Sequence, residues 1–270
     1  MATKIVALTK KILADRRSGS TTLAKRLLNT LIESKPKPEE AREAIQIMAS
    51  ASRDMLILHN VAEVCSKLIQ HGLQPSDAAE KILNNINTSI EHATNEGVKK
   101  LGDYSSFLTL SNSDQLLQLF MAIEPKVIYI LESRPGGEGT ILASKLKAYA
   151  KPVKVAPDLS SHILITRVEC VVVGTDGVYD RGFVNKLGTG LLACLCAANS
   201  KPFYALTTKW KTAPTSIKKQ LPHNHYHSVF EWVNNTKLSS YICELGELSP
   251  HEAYRRLRGA LTTLSGKNKT

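Results

Sequence analysis

Hydrophobic positions in the first hundred residues recur at helical spacing, with polar positions filling the intervals. In 21–34, TTLAKRLLNTLIES, the residues Leu23, Leu27, Leu28 and Leu31 fall on one face, and Lys35-Pro36-Lys37-Pro38 stops that helix before another begins at Glu39. Further amphipathic segments cover 39–50, 54–71 and 76–100, the last opened by Ser76 as a side-chain cap after Pro75. Strand signals are almost absent, so 1–100 is expected to form an antiparallel helical domain of about four members.

From Leu101 the pattern changes to short apolar runs alternating with helical stretches. Strands are expected at Phe107 to Leu110, Val127 to Leu131, Val153 to Ala156, Cys170 to Gly174, Phe203 to Leu206 and Tyr241 to Cys243. Helices fill 114–123, 138–149, 160–166, 187–199 and 250–264, while 209–238 is polar and irregular and reads as a long loop or an insertion near the ligand face. Strands separated by helices imply a parallel sheet with right-handed crossovers. The fold class is therefore α/β: an N-terminal helical domain followed, over 101–270, by a Rossmann-like, mainly parallel sheet domain.

Composition narrows the classes of function. A chain of 270 residues with 43% hydrophobic positions is long enough for a packed core. No apolar run reaches bilayer-spanning length and MATKIVALTKK is no signal peptide, which makes cytoplasmic residence the default and a membrane partner unexpected. Cys65, Cys170, Cys194, Cys196 and Cys243 lack a CxxC pair and lie mostly in apolar segments, as reduced, buried thiols do. The net charge of +11 favours anionic partners, but the basic residues are scattered, and with only 6% aromatics no stacking groove for nucleic acid is evident.

The candidate chemistry gathers at strand ends. Val171 to Gly174 has no polar face and suits a strand covered on both sides, which puts Asp176 at its carboxyl end, where open α/β sheets hold their ligands. Asn185 and Lys186 then precede Gly188-Thr189-Gly190, whose backbone can approach an anion at a helix N-terminus. A second strand, turn and helix, LESRPGGEGTILASKLKAY, offers Arg134 as a cation beside another helix start, although an ordinary βα turn explains it equally well. Ser18-Gly19-Ser20, after Asp15-Arg16-Arg17, opens a helix and can reach the same ligand, with capping by Ser18 or Ser20 as the structural alternative. Gly188 to Ala193 matches GxGxxA, but its strand ends about ten residues earlier and no acid closes the next strand, so NAD is not expected, nor is any other cofactor. His223, His225 and His227 alternate in PHNHYH and read as a polar loop, with no metal site expected.

Taken together, these pieces resemble the family that joins the alpha, beta and delta subunits of translation initiation factor 2B to the isomerases of methylthioribose-1-phosphate and ribose-1,5-bisphosphate. The resemblance runs over nearly the whole chain. It is carried by Ser18-Gly19-Ser20, Met55 to Asn60, Phe107 to Ser113, Glu132-Ser133-Arg134-Pro135 with Gly139, Val173-Gly174-Thr175-Asp176, Asn185 to Thr189, Lys201 to Tyr204, and Leu245 to Pro250. It implies dimeric or higher assembly, a sugar-phosphate or nucleoside monophosphate ligand, and translation initiation factor 2 as a partner.

The departures divide the functional expectation. The isomerases carry a catalytic cysteine in a pattern like Thr-His-Cys; this chain has Thr109-Leu110-Ser111, which puts Ser111 at the cysteine position. The family's catalytic aspartate is matched by Asp176, whereas its Arg-Gly-Ala is replaced by Ser18-Gly19-Ser20, and the loop from Asp176 to Asn185 is one residue short. A serine hydroxyl without a dedicated base stays neutral where a thiol ionises. Two readings follow: a non-catalytic regulator that keeps the pocket, or an aldose-ketose isomerase in which Asp176 shuttles a proton and Ser111 stands in for cysteine. A vestigial pocket is a third.

Overall fold

The computed structural model describes residues 4–15, 18–50, 55–215 and 229–264. Five helices come first among them: α1 (Lys4–Leu13), α2 (Ser20–Ser34), α3 (Pro38–Ser50), α4 (Leu56–Gln70) and α5 (Pro75–Leu101). α1 was not anticipated from the sequence pattern. It buries Ile5, Val6, Thr9 and Ile12, one helical face, against α2 and α3. α2 ends where Lys35 turns into left-handed backbone at φ 43° and donates its N–H to Leu31 O. Its leucines Leu23, Leu27, Leu28 and Leu31 are buried, each contributing roughly 1.5–3 kcal/mol of apolar burial. The expected cap of α5 needs correcting: the helix starts one residue earlier, with Pro75 at a first-turn position where its missing N–H costs nothing. The Ser76 hydroxyl donates to Asp77 at 3.2 Å instead.

After α5 follow β1 (Ser106–Leu110), α6 (Asp114–Ala122), β2 (Val127–Leu131), α7 (Glu138–Lys147), β3 (Val153–Ala156), α8 (Ser161–Leu164) and β4 (Cys170–Val173). Then come β5 (Gly177–Tyr179), β6 (Gly182–Lys186), α9 (Thr189–Ala198), β7 (Phe203–Leu206), β8 (Phe230–Asn234), β9 (Ser240–Cys243), β10 (Gly246–Leu248) and α10 (Ala253–Leu264). Seven strands form one sheet in the order β10-β9-β7-β4-β1-β2-β3, parallel throughout except for the β9–β10 hairpin. The chain is thus α/β, with an N-terminal helical part followed by a Rossmann-like, mainly parallel sheet. Every residue of β4 is buried, because helices cover both faces.

The strand order fixes where a ligand fits. Building runs outward from β1 through β2 to β3, then crosses to the other side of β1 to lay down β4, β7 and β9. The reversal opens a crevice beyond the carboxyl ends of β1 and β4, and Ser111 and Asp176 follow those two strands.

The stretch expected to be a loop from Asp176 to Asn185 is a hairpin. β5 pairs with β6, and β6 pairs with β8, giving a second, three-stranded antiparallel sheet. β8 lies inside the stretch read as irregular. Its run Phe230-Glu231-Trp232-Val233-Asn234 breaks the alternation at Trp232-Val233, and Val233 is its only buried position, so the strand signal was weak. The helical core also takes in Trp210 and Leu261 from the later chain, which packs the helices onto the sheet region.

Candidate functional site

A cavity of about 780 Å³ lies beyond β1 and β4, roofed by the start of α2. That is room for a small ligand. Asp176 is fixed from three directions. Its N–H donates to Val184 O at 2.8 Å, its carbonyl accepts from Leu56 N at 3.0 Å, and its carboxylate accepts from Ser20 Oγ at 2.7 Å. Burial raises the Asp176 pKa from its ordinary value, opposed by Lys211, by the Ser20 hydrogen bond and by Lys186.

Ser20 is therefore a partner of Asp176 and no cap. Gly19 holds the N-cap position of α2 without a side-chain bond, and Ser18 donates both N–H and Oγ to the Asp15 carboxylate at 3.0 and 2.8 Å. Gly19 has a steric reason: a Cβ there would stand 2.9 Å from the carbonyl oxygen of Asn112. That contact holds the α2 entry against the loop after β1. Ser18, Gly19, Ser20, Ser111, Asp176, Asn185 and Lys186 all line the cavity.

Ser111 sits at φ 69°, its N–H donated to Ser133 Oγ at 2.7 Å. Among the described residues no base is hydrogen-bonded to its Oγ. Arg134 is not brought to the cavity. Its N–H and that of Ser133 donate to the Asp158 carboxylate at 2.8 Å, and its exposed guanidinium pairs with Glu132 at 3.0 Å, outside the lining.

The two helix N-termini expected to receive phosphate already carry carboxylates. Register pairs Asn185 with Glu231, which places the Glu231 carboxylate 2.9 Å from Gly190 N at the start of α9, and none of Gly188, Thr189 or Gly190 lines the cavity. Glu138, first residue of α7, lies at the other N-terminus and pairs with Lys186 Nζ at 2.5 Å. Asn185 is buried and donates to Thr189 Oγ1 at 2.9 Å.

Lys211 is the residue that sequence reasoning missed. It follows β7 in the short turn Lys209–Lys211, is only 4% exposed, and donates from Nζ to Thr175 O at 2.5 Å. Burial lowers its pKa, opposed by Asp176 and then Asp114. Its position just beyond a parallel strand's carboxyl end was the available signal. His223, His225 and His227 lie outside the described residues. Among the described residues no cluster of His, Cys, Asp or Glu is arranged to hold a metal. No helix among them is long and apolar enough to cross a membrane. One thiol departs from expectation: Cys194 is exposed, while the other four are buried.

The fold defines a class: a Rossmann-like α/β protein with a helical N-terminal part and its crevice at the sheet's switch point. The model of the Initiation factor 2 subunit family, IF-2B, matches residues 2–249, and the chain belongs to that family. It is 27% identical over 192 residues to the ribose 1,5-bisphosphate isomerase of Methanocaldococcus jannaschii, covering 67% of this chain and 61% of the isomerase. It is 28% identical over 217 residues to translation initiation factor eIF2B subunit alpha of Dictyostelium discoideum, covering 75% of this chain and 66% of that subunit. The chain thus matches a little under two thirds of each of these two relatives. The crystal structure of the Pyrococcus horikoshii translation initiation factor eIF-2B superposes with a TM-score of 0.80 at 19% identity, covering 94% of this chain and all of that one. The family therefore holds both initiation-factor-2B-like regulators and sugar-phosphate isomerases.

Proposed function

We propose that this chain is a regulatory protein like the alpha, beta and delta subunits of translation initiation factor 2B, binding a sugar phosphate or nucleoside monophosphate in the cavity without converting it. The observation that carries the reading is Ser111, a serine at the position of the isomerases' cysteine, with no base hydrogen-bonded to its hydroxyl among the described residues. Moving a proton between adjacent sugar carbons needs two groups that exchange protons at working pH, and an unactivated hydroxyl does so poorly. Asp176, Asn185, Lys186 and Ser20 remain as ligand contacts, and Lys211 joins them. The reading includes assembly as a homodimer or larger oligomer and translation initiation factor 2 as a partner.

One observation favours the isomerase instead. Burial lifts the Asp176 carboxyl toward the range useful for proton transfer. A thermal-shift series with ribose phosphates and nucleoside monophosphates, coupled to an isomerase assay, separates the two readings. The regulator is expected to gain on the order of 5 °C at saturating ligand. It is expected to show no turnover. Turnover abolished by Asp176→Asn supports the isomerase.

A further inference from the structure

We propose that Glu138 sets which anions the cavity accepts, by holding Lys186 in a closed ion pair that a ligand phosphate has to open; this rests on the phosphate-binding reading of the cavity. Two lysines line the cavity among the described residues. Lys211 is committed to Thr175 O and faces Asp176. Lys186, 3% exposed, gives its ammonium to Glu138 Oε1 at 2.5 Å, so an incoming anion meets that cation only beside a carboxylate.

Glu138 Oε2 is buried and has no partner among the described residues, so this carboxylate is only half satisfied by Lys186. The preceding loop is shaped to allow the closed pair. Glu138 folds back over Gly136, where a Cβ would stand 2.3 Å from Oε1 and 2.5 Å from Oε2. Any side chain at 136 therefore displaces the carboxylate, which is the far end of a flexible side chain, while the backbone stays where it is. A phosphate dianion approaching Lys186 is repelled by Glu138 unless it outcompetes the pair or the carboxylate swings aside. Charge selection at this site then depends on a residue that opposes the ligand as much as on the lysine that attracts it.

Two substitutions release Lys186 by different routes. Glu138→Gln removes the charge at nearly constant shape, and Gly136→Ala keeps the charge but pushes the carboxylate off the lysine. Calorimetry with inorganic phosphate and with ribose 5-phosphate, on the wild type, both variants and Lys186→Gln, is the test, with a melting curve for each to confirm folding. Both releasing variants are expected to bind inorganic phosphate at least about 10-fold more tightly, since like-charge juxtaposition costs several kcal/mol. Lys186→Gln is expected to bind it more weakly. If wild type binds and Lys186→Gln weakens binding while Glu138→Gln and Gly136→Ala leave it unchanged or weaker, the gating role of Glu138 is overturned and the phosphate site stands. If no variant binds either probe, both the gate and the phosphate-binding reading fall.

Discussion

Asp176 and Lys211 carry opposite charges into a poorly solvated crevice, and each is pushed toward its neutral form by burial while the other pulls it back. Removing Lys211 takes away the main charge that favours the Asp176 carboxylate and leaves it the Ser20 hydrogen bond and Lys186, a loss on the order of 1–3 kcal/mol. Lys211→Met is expected to show that deficit in chemical denaturation at neutral pH, and the double variant Asp176→Asn/Lys211→Met to recover part of it. The sign with pH follows from the raised carboxyl. Above its folded-state pKa an unpaired Asp176 is charged and penalises the fold; as pH falls through that value it is protonated and the penalty disappears. The Lys211→Met deficit should therefore shrink on acidification, and a deficit that grows instead would contradict the coupling of the two charges. The thiols give a second prediction. Burial pushes Cys65, Cys196 and Cys243 up to about 12, and Cys170 upward as well, which makes them inert. Cys194 is exposed, with Lys237 Nζ 2.8 Å from its sulfur. Iodoacetamide on the native protein is expected to label Cys194 alone, as read by peptide mass analysis.

Among the elements, one exposed carboxylate bridges the entries of β1 and β4. Glu169, just before β4, accepts from Ser105 N and Ser106 N at the entry to β1, and the Ser105 backbone hydrogen bond is the main reason its pKa lies below the ordinary carboxylate value. A depressed carboxylate contributes stability above its unfolded-state pKa and loses it as pH falls through the folded one. Glu169→Gln should lower the melting temperature slightly at pH 7, with the gap to wild type closing below the carboxylate range; a gap independent of pH would remove the clamp. The main-sheet strands were legible because each is an apolar run between turn signals, and β2, β3 and β7 begin and end where the pattern put them. The small sheet was not. β5 has only three residues, and β6 ends on Asn185 and Lys186, so polar side chains that serve the cavity replace the alternation that marks a strand. Lys211 was hidden for a related reason: the stretch around it reads as polar, although Trp210 and Ala213 beside it are fully buried.

For the whole molecule, the strand order brings the residues after β1 and β4 to one crevice. Asp176 was placed beyond a strand end by the sheet pattern and Ser111 was singled out by the family resemblance, and both line the cavity. Arg134 was misplaced because a cation beside a helix start has no say in which way its side chain turns, and Glu132 and Asp158 take it outward. Assembly belongs to this scale too. Light scattering is expected to give at least twice the 29.6 kDa of the chain, and a monomer at micromolar concentration would count against the oligomer. The central matter is whether a bound sugar phosphate is left unchanged, and phosphorus NMR of ribose-1,5-bisphosphate with wild-type protein reports binding and conversion in one sample. The predicted result is resonances shifted or broadened by binding, with no new product line over hours. A product resonance that grows with wild type and is absent with Asp176→Asn would contradict it.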